Sequence, residues 1–356
     1  MNDVSEVGPL HEAGATELYC GLMRPEVQKK YTNVFSLNSR HVGEANLAGF
    51  EPLRKVIGAA HDRGMKVFVT YNAIYPAEQF DTVVEELEST LETGPDGLIV
   101  ADIPLISYLH ERHPEVRLVI STFGGAFNSH TARLYQSMGA SRVTLPRHLT
   151  LDEIKTVSDA VPGAGFEVFV MSERCYFPNS LCRFEHASYR VKGGLVSTAT
   201  NVLRSLLGRR MSFVSGSYNN RLINAVQDRM VSNSGMMCCR EYEADLLDAA
   251  GGVVESGLPF RFFNTWNNFR EACGLCALYD IAAMENVVSV KIVGRQSLTS
   301  RKVADTGMVG MALDLLESKP SREEFEKEMK VLRKEYYPHY CGPEYCYYSR
   351  PGMDKK

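Results

Sequence analysis

GLIVAD, residues 97–102, is a short and nearly continuous apolar run closed by an acid. A run this short, without alternation, reads as a strand buried on both faces, the pattern of a parallel sheet. Working outward, runs of the same kind recur at 17–21, 66–72, 117–122, 142–146 and 166–171. Amphipathic stretches separate them, such as FEPLRKVIGAAHDR at 50–63 and the run at 80–93. The helix expected at 149–160 carries its own start signal, with Thr150 as N-cap and Glu153 three residues on. Two more strands are expected at 260–264 and 288–293. A βα alternation with eight strands predicts a TIM-type (β/α)8 barrel, with an open α/β sheet as the alternative architecture.

Such a barrel needs about 250 residues, and the chain has 356. The surplus falls in a long insertion between strands six and seven, 175–258, and in a tail with a charged helix at 321–335. The expected organisation is a barrel domain over 1–300, insertion included, and a helical tail over 301–356 packed on it.

Composition narrows the function classes. The chain is 44% hydrophobic and 23% charged, ordinary for a globular protein. No run is apolar enough for a membrane span, and the N-terminal residues show no signal-peptide pattern, so a cytoplasmic location is expected. The net charge of −4 and pI near 6.2 give no electrostatic argument for nucleic acid. No phosphate-binding glycine loop, H-E-x-x-H or G-x-S-x-G occurs.

The nine cysteines are distributed unevenly. Cys20 stands alone; the rest fall as Cys175 and Cys182, Cys238 and Cys239, Cys273 and Cys276, Cys341 and Cys346. In a chain expected to be cytoplasmic, close pairs point to metal rather than disulfides. On a barrel, Cys175, Cys182, Cys238, Cys239, Cys273 and Cys276 belong to loops that follow strands, the face where active sites are built, and four thiolates there can hold zinc or an iron–sulfur cluster. Asn72, Asp102, Thr122, Asn128, Arg147 and Arg295 sit at or just past strand ends on that face. Each reads either as a helix cap or turn residue or as part of a polar site.

Several segments carry a resemblance, in order along the chain: AGATELYCG (13–21), KVFVTYNAIYP (66–76), DGLIVADIPLI (96–106), ISTFGGAFN (120–128), RVTLPRHLTLDEI (142–154), FEVFVMSERCYFPNSLCRF (166–184), CCREYE (238–243) and SVKIVGRQSL (289–298). Together they resemble the collagenase-like peptidase family U32, from about residue 12 to residue 300. Better understood members are oxygen-independent hydroxylases. The resemblance implies a 4Fe–4S cluster held by Cys175, Cys182, Cys239 (or its neighbour Cys238) and Cys276. It also implies prephenate as an oxygen donor, with Arg147 and Arg295 holding an anion and Asn72, Asp102 and Asn128 orienting it. The expected task is oxygen-independent hydroxylation of a small molecule. The alternatives are a peptidase, RNA hydroxylation, and an electron-transfer subunit working with a second protein of the family as heterodimer. The chain departs from the family in lacking the strand that usually precedes the first of these segments. It also reads Pro146-Arg147-His148 and KIVGR where the family carries acidic residues.

Overall fold

The computed structural model describes residues 1–30, 36–40, 45–175, 179–182, 241–247, 252–261, 271–337, 341–342 and 345–348. The strands are β1 (Glu17–Gly21), β2 (Lys66–Tyr71), β3 (Gly97–Val100), β4 (Leu118–Ile120), β5 (Ala140–Thr144), β6 (Gly165–Met171), β7 (Glu241–Leu247), β8 (Val253–Arg261) and β9 (Val287–Ile292). The helices are α1 (Val7–Glu12), α2 (Pro25–Lys30), α3 (Phe50–His61), α4 (Ala77–Leu91), α5 (Ile103–Arg112), α6 (Ser129–Ser137), α7 (Leu151–Asp159), α8 (Leu278–Ile281), α9 (Thr299–Glu317) and α10 (Arg322–Tyr336).

Seven strands form one sheet in the order β1-β2-β3-β4-β5-β6-β9, and every neighbouring pair is parallel. The six strands expected first are all there. The expected eighth, at 288–293, is β9. The expected seventh is not a member of this sheet. Its first residues close β8, which pairs antiparallel with β7 as a separate hairpin. The physical reason is that β9 occupies the free edge of β6 directly, with Glu167 beside Ser289 and Phe169 beside Lys291. No place remains between them. The eight-stranded closed barrel is thus corrected to a seven-stranded sheet, in which no backbone ladder joins β1 to β9 among the described residues.

The sheet is nevertheless strongly curled. Strands four apart in a flat sheet lie roughly 19 Å from each other. Yet Arg142 of β5 forms a two-pronged ion pair with Glu17 of β1, at 2.5 and 2.8 Å, across the concave face. Between the edge strands, the Tyr19 hydroxyl donates to the Ile292 carbonyl at 3.3 Å.

Alternation along each strand builds two cores. Leu18, Val67, Val69, Leu98, Val100, Leu118 and Ile120 face outward into the large apolar cluster under the helices. Phe68, Ile99 and Val119, with Tyr19 against them, form a small cluster on the concave side. The helices are positioned by local signals. The Thr150–Glu153 capping box starts α7 as expected, and Ser321 and Glu324 do the same for α10. The residue-300 boundary falls inside α9, which the Lys302–Glu6 ion pair ties to the turn before α1 at 2.7 Å. Most of the 175–258 insertion lies outside the described residues.

Candidate functional site

Because the strands are parallel, their carboxyl ends share one edge, and a small cavity, partly open to solvent, lies inside it. Arg40, Asn72, Arg147, Asn179, Lys291 and Arg295 are among its lining residues. Arg295 is the most constrained. Gly294, at φ 110°, turns the chain after β9 in a conformation that favours glycine. The Arg295 guanidinium then enters the curl and donates to Thr70 Oγ1 at 3.0 Å and Asn38 Oδ1 at 2.8 Å. A Cβ at Gly21 would overlap this guanidinium and the amides of Asn38 and Asn46. The end of β1 must therefore be bare for the arginine to lie there.

Arg295 is 7% exposed, and its described partners are neutral oxygens rather than a carboxylate. Burial lowers its pKa to about 10, the Tyr19 phenol opposes that shift, and the nearby Arg40 charge adds to it. A buried cation of this kind is costly unless an anion approaches it.

Arg147 reaches the same cavity from the end of β5. Its guanidinium stacks over the Phe169 ring at 4.2 Å and donates to Asn179 Oδ1 at 3.2 Å, while its buried Nε has no partner among the described residues. Asn72 bridges two loops, accepting from the Ser39 amide at 3.2 Å and donating to Ser121 Oγ at 3.1 Å. Arg40 pairs with Glu173 at 2.5 Å. Glu173 and Ser172 both have positive φ, 42° and 60°, a conformation that costs non-glycine residues energy and clusters at functional sites. The strain is held by anchors on either side. Ser172 donates to Asp305 Oδ2 at 2.6 Å, and its amide donates to the Ala272 carbonyl at 2.9 Å.

At the base of the cavity the charges are paired, although Arg142 Nε, like Arg147 Nε, has no partner among the described residues. Glu167 accepts from Lys291 at 2.7 Å, Thr144 at 3.0 Å, Ser289 at 3.1 Å and Arg142 at 3.3 Å. Burial raises its pKa, but the Lys291 charge and these donors outweigh burial and hold it below the usual carboxylate value. Lys291 also lies over the Tyr19 ring at 4.3 Å. Sequence reading missed Arg142, Glu167 and Lys291 because they sit in runs read as continuous apolar strands. The available signal was polar residues two apart, Arg142 with Thr144 and Ser289 with Lys291, which a strand puts on one face.

The remaining sequence-predicted residues go elsewhere. Asp102 is the N-cap of α5, accepting from the Leu105 amide at 3.1 Å, and it also accepts from the Tyr75 amide at 3.3 Å. Asn128 is the exposed N-cap of α6, accepting from the Thr131 amide at 3.0 Å. Neither lines the cavity. Cys175 and Cys182 flank the loop that follows β6, and Cys239 lies outside the described residues. Cys276 follows Cys273 in a 3-10 turn, and Cys273 is bridged to Cys346 of the tail.

The model for "Peptidase family U32" matches residues 2–194. The chain belongs to peptidase family U32. Among U32 relatives, the tRNA hydroxylation protein P of Escherichia coli is 32% identical over 169 residues, covering 48% of this chain and 34% of that one. A 23S rRNA 5-hydroxycytidine synthase of Escherichia coli is 27% identical over 135 residues, 38% of this chain and 20% of that one. A collagenase of Porphyromonas gingivalis is 25% identical over 161 residues, 45% of this chain and 37% of that one. The match thus spans about a third of the tRNA hydroxylation protein's length. A solved U32 peptidase structure is 18% identical and matches 44% of this chain and 70% of its own, with a TM-score of 0.33. No helix among the described residues is long and apolar enough to cross a membrane.

Proposed function

We propose that this U32 chain takes part in RNA hydroxylation, and that the cavity at the carboxyl edge of its sheet holds an anionic small molecule for that reaction. The observation that carries the reading is Arg295, a buried guanidinium with neutral partners that lines the cavity beside Arg40 and Arg147. A carboxylate matches a guanidinium fork better than any neutral group does. Prephenate, the donor implied by the family resemblance, carries two carboxylates and fits that chemistry. The choice of RNA over a small hydroxyl acceptor rests on the relatives, two of which are named for tRNA hydroxylation and for 5-hydroxycytidine in 23S rRNA.

The cluster implied by the resemblance does not fit the described residues. Of its four cysteines, Cys239 is outside the described residues, and Cys175, Cys182 and Cys276 are not drawn together to metal-holding distance. No step is therefore routed through a cluster. What this chain's own residues supply is anion binding, through Arg295 and Arg147, and positioning, through Asn72.

Mass spectrometry of nucleosides from tRNA and 23S rRNA, in cells with and without the gene, tests the proposal. The expected result is loss of a hydroxylated pyrimidine, restored by the wild-type chain and not by Arg295→Met. Unchanged nucleosides in both RNAs would overturn the RNA reading. Restoration only with a second U32 protein would make the chain one half of a heteromeric enzyme. Hydrolysis of denatured collagen, the activity named for the Porphyromonas gingivalis relative, would favour the peptidase reading.

A further inference from the structure

The C-terminal tail adds a layer behind one wall of the cavity. An antiparallel bridge joins Met171, the last residue of β6, to Cys273, and a parallel bridge joins Cys273 to Cys346 of the tail. Two backbone hydrogen bonds hold the second bridge. The Cys273 amide donates to the Tyr345 carbonyl at 2.7 Å, and the Tyr347 amide donates to the Cys273 carbonyl at 2.9 Å. With the tail backbone fixed in this way, two consecutive tyrosines reach β6 and the residue after it. The Tyr348 hydroxyl donates to the Phe169 carbonyl at 2.7 Å, and the Tyr347 hydroxyl donates to the Ser172 carbonyl. The Tyr347 ring, 3% exposed, packs with Phe169 and Ala272.

Ser172 is the joint between the tail and the cavity. It and Glu173 both hold positive φ, which residues other than glycine keep only where their surroundings over-determine it. Each polar group of Ser172 is tied. Its amide donates to the Ala272 carbonyl at 2.9 Å, its hydroxyl donates to Asp305 at 2.6 Å, and its carbonyl accepts from Tyr347. That carbonyl shares a rigid peptide plane with the Glu173 amide, so its direction sets where the Glu173 side chain departs. Glu173, 4% exposed, then pairs with Arg40 at 2.5 Å. Its Oε1 is also the atom that a Cβ at Gly294 would meet at 3.6 Å, beside the turn that delivers Arg295. A carboxylate is thus built into the edge of a cavity whose arginines suit an anion. Such a group leaves room for an anionic ligand only while it is committed to another cation.

We propose that Tyr347 is a positioning residue for the anion cavity, its hydroxyl holding the Ser172–Glu173 peptide so that Glu173 stays on Arg40 and off Arg295. The inference rests on reading the cavity as an anion site. Removing the hydroxyl leaves the Ser172 carbonyl short of a buried donor, and the strained pair relaxes toward ordinary φ. Arg40 then loses its partner. The released Glu173 carboxylate competes for Arg295 with any ligand that carries a carboxylate of its own.

The test is Tyr347→Phe in the full chain, which keeps the ring and removes only the hydroxyl. Phenylglyoxal modification, mapped by mass spectrometry, reads the arginines without a ligand. Arg40 should react about fivefold faster than in wild type, the scale of one lost hydrogen bond, and the exposed Arg54 of α3 should be unchanged. Calorimetry with prephenate should show affinity lower by about the same factor. Adding Glu173→Gln to Tyr347→Phe should restore that affinity, because the competing charge is gone; a merely structural tyrosine would not be rescued in this way. Where Tyr347→Phe fails to fold, Ser172→Ala frees the same peptide from the Asp305 side and should raise Arg40 reactivity likewise. Unchanged Arg40 reactivity would overturn the proposal, and so would raised reactivity with unchanged affinity, or an affinity loss that Glu173→Gln does not restore. Absence of prephenate binding by wild type would strike the anion reading instead, and Arg40 reactivity would then decide the role of Tyr347 alone.

Discussion

Two clusters on the concave face treat charge in opposite ways. In the floor, Glu167 is surrounded by Lys291, Arg142, Thr144 and Ser289, and Arg142 reaches across to Glu17. In the mouth, Arg295 is as deeply buried but faces hydroxyl and amide oxygens. Charges neutralised within the fold serve the fold, because attraction offsets the cost of desolvation. A charge left facing neutral groups at a cavity is available to a ligand. The contrast separates a scaffold from a binding site within a few ångströms of the same sheet.

Breaking the floor should cost the most. Glu167→Ala leaves Lys291 and Arg142 buried and uncompensated, and stability should fall by about 3–5 kcal/mol, read by denaturant unfolding. Unchanged stability would mean that water replaces the carboxylate. The same group predicts a pH dependence. Its folded pKa is depressed, so its stabilisation is fully present above the ordinary carboxylate value and is lost as pH falls through the lower folded value. Unfolding midpoints measured through that acid range should drop more steeply for wild type than for Glu167→Gln.

The mouth should respond in the other currency, affinity. Arg295→Lys keeps the charge and loses the fork, and should weaken binding of a carboxylate ligand by about 1–3 kcal/mol with little change in unfolding midpoint. Calorimetry with prephenate is the direct measurement; equal affinity in both proteins would assign Arg295 to the scaffold. Gly21→Ala should reproduce much of that loss without removing any charged group, since the new methyl overlaps the guanidinium and displaces it. The smallest effect belongs to the caps. Asn128→Ala should cost about 0.5–2 kcal/mol of stability and leave ligand affinity unchanged. A drop in affinity there would return Asn128 to the site.

How much of this was legible in the sequence depended on how local each feature is. The first six strands and the α7 cap were readable because short apolar runs and a Thr-x-x-Glu spacing are local signals. Arg147 and Arg295 were readable by position, just past strand ends. Asp102 and Asn128 carried the same positional signal, yet Asp-Ile-Pro and Asn-Ser-His also announce a helix start, and that reading describes their contacts. The seventh strand was misplaced because residues up to Arg261 are extended, while the identity of a strand's partner is not written in the strand. The bridge between Cys273 and Cys346 is of the same kind. Their proximity depends on the tail returning to the end of β6, which no spacing within either segment specifies.

The contact between Gly21 and Arg295 also constrains how this family can change. Any side chain at the end of β1 would occupy the volume that the guanidinium fills. Each position alone would tolerate little drift, yet the pair can be lost together. Across the family, glycine at the first position and arginine at the second should be inherited as a unit. Lineages that replace the arginine with a smaller residue should be the ones in which the glycine is free to vary. That covariation would record, in sequences rather than in affinities, where the anion-binding mouth has been kept and where it has been abandoned.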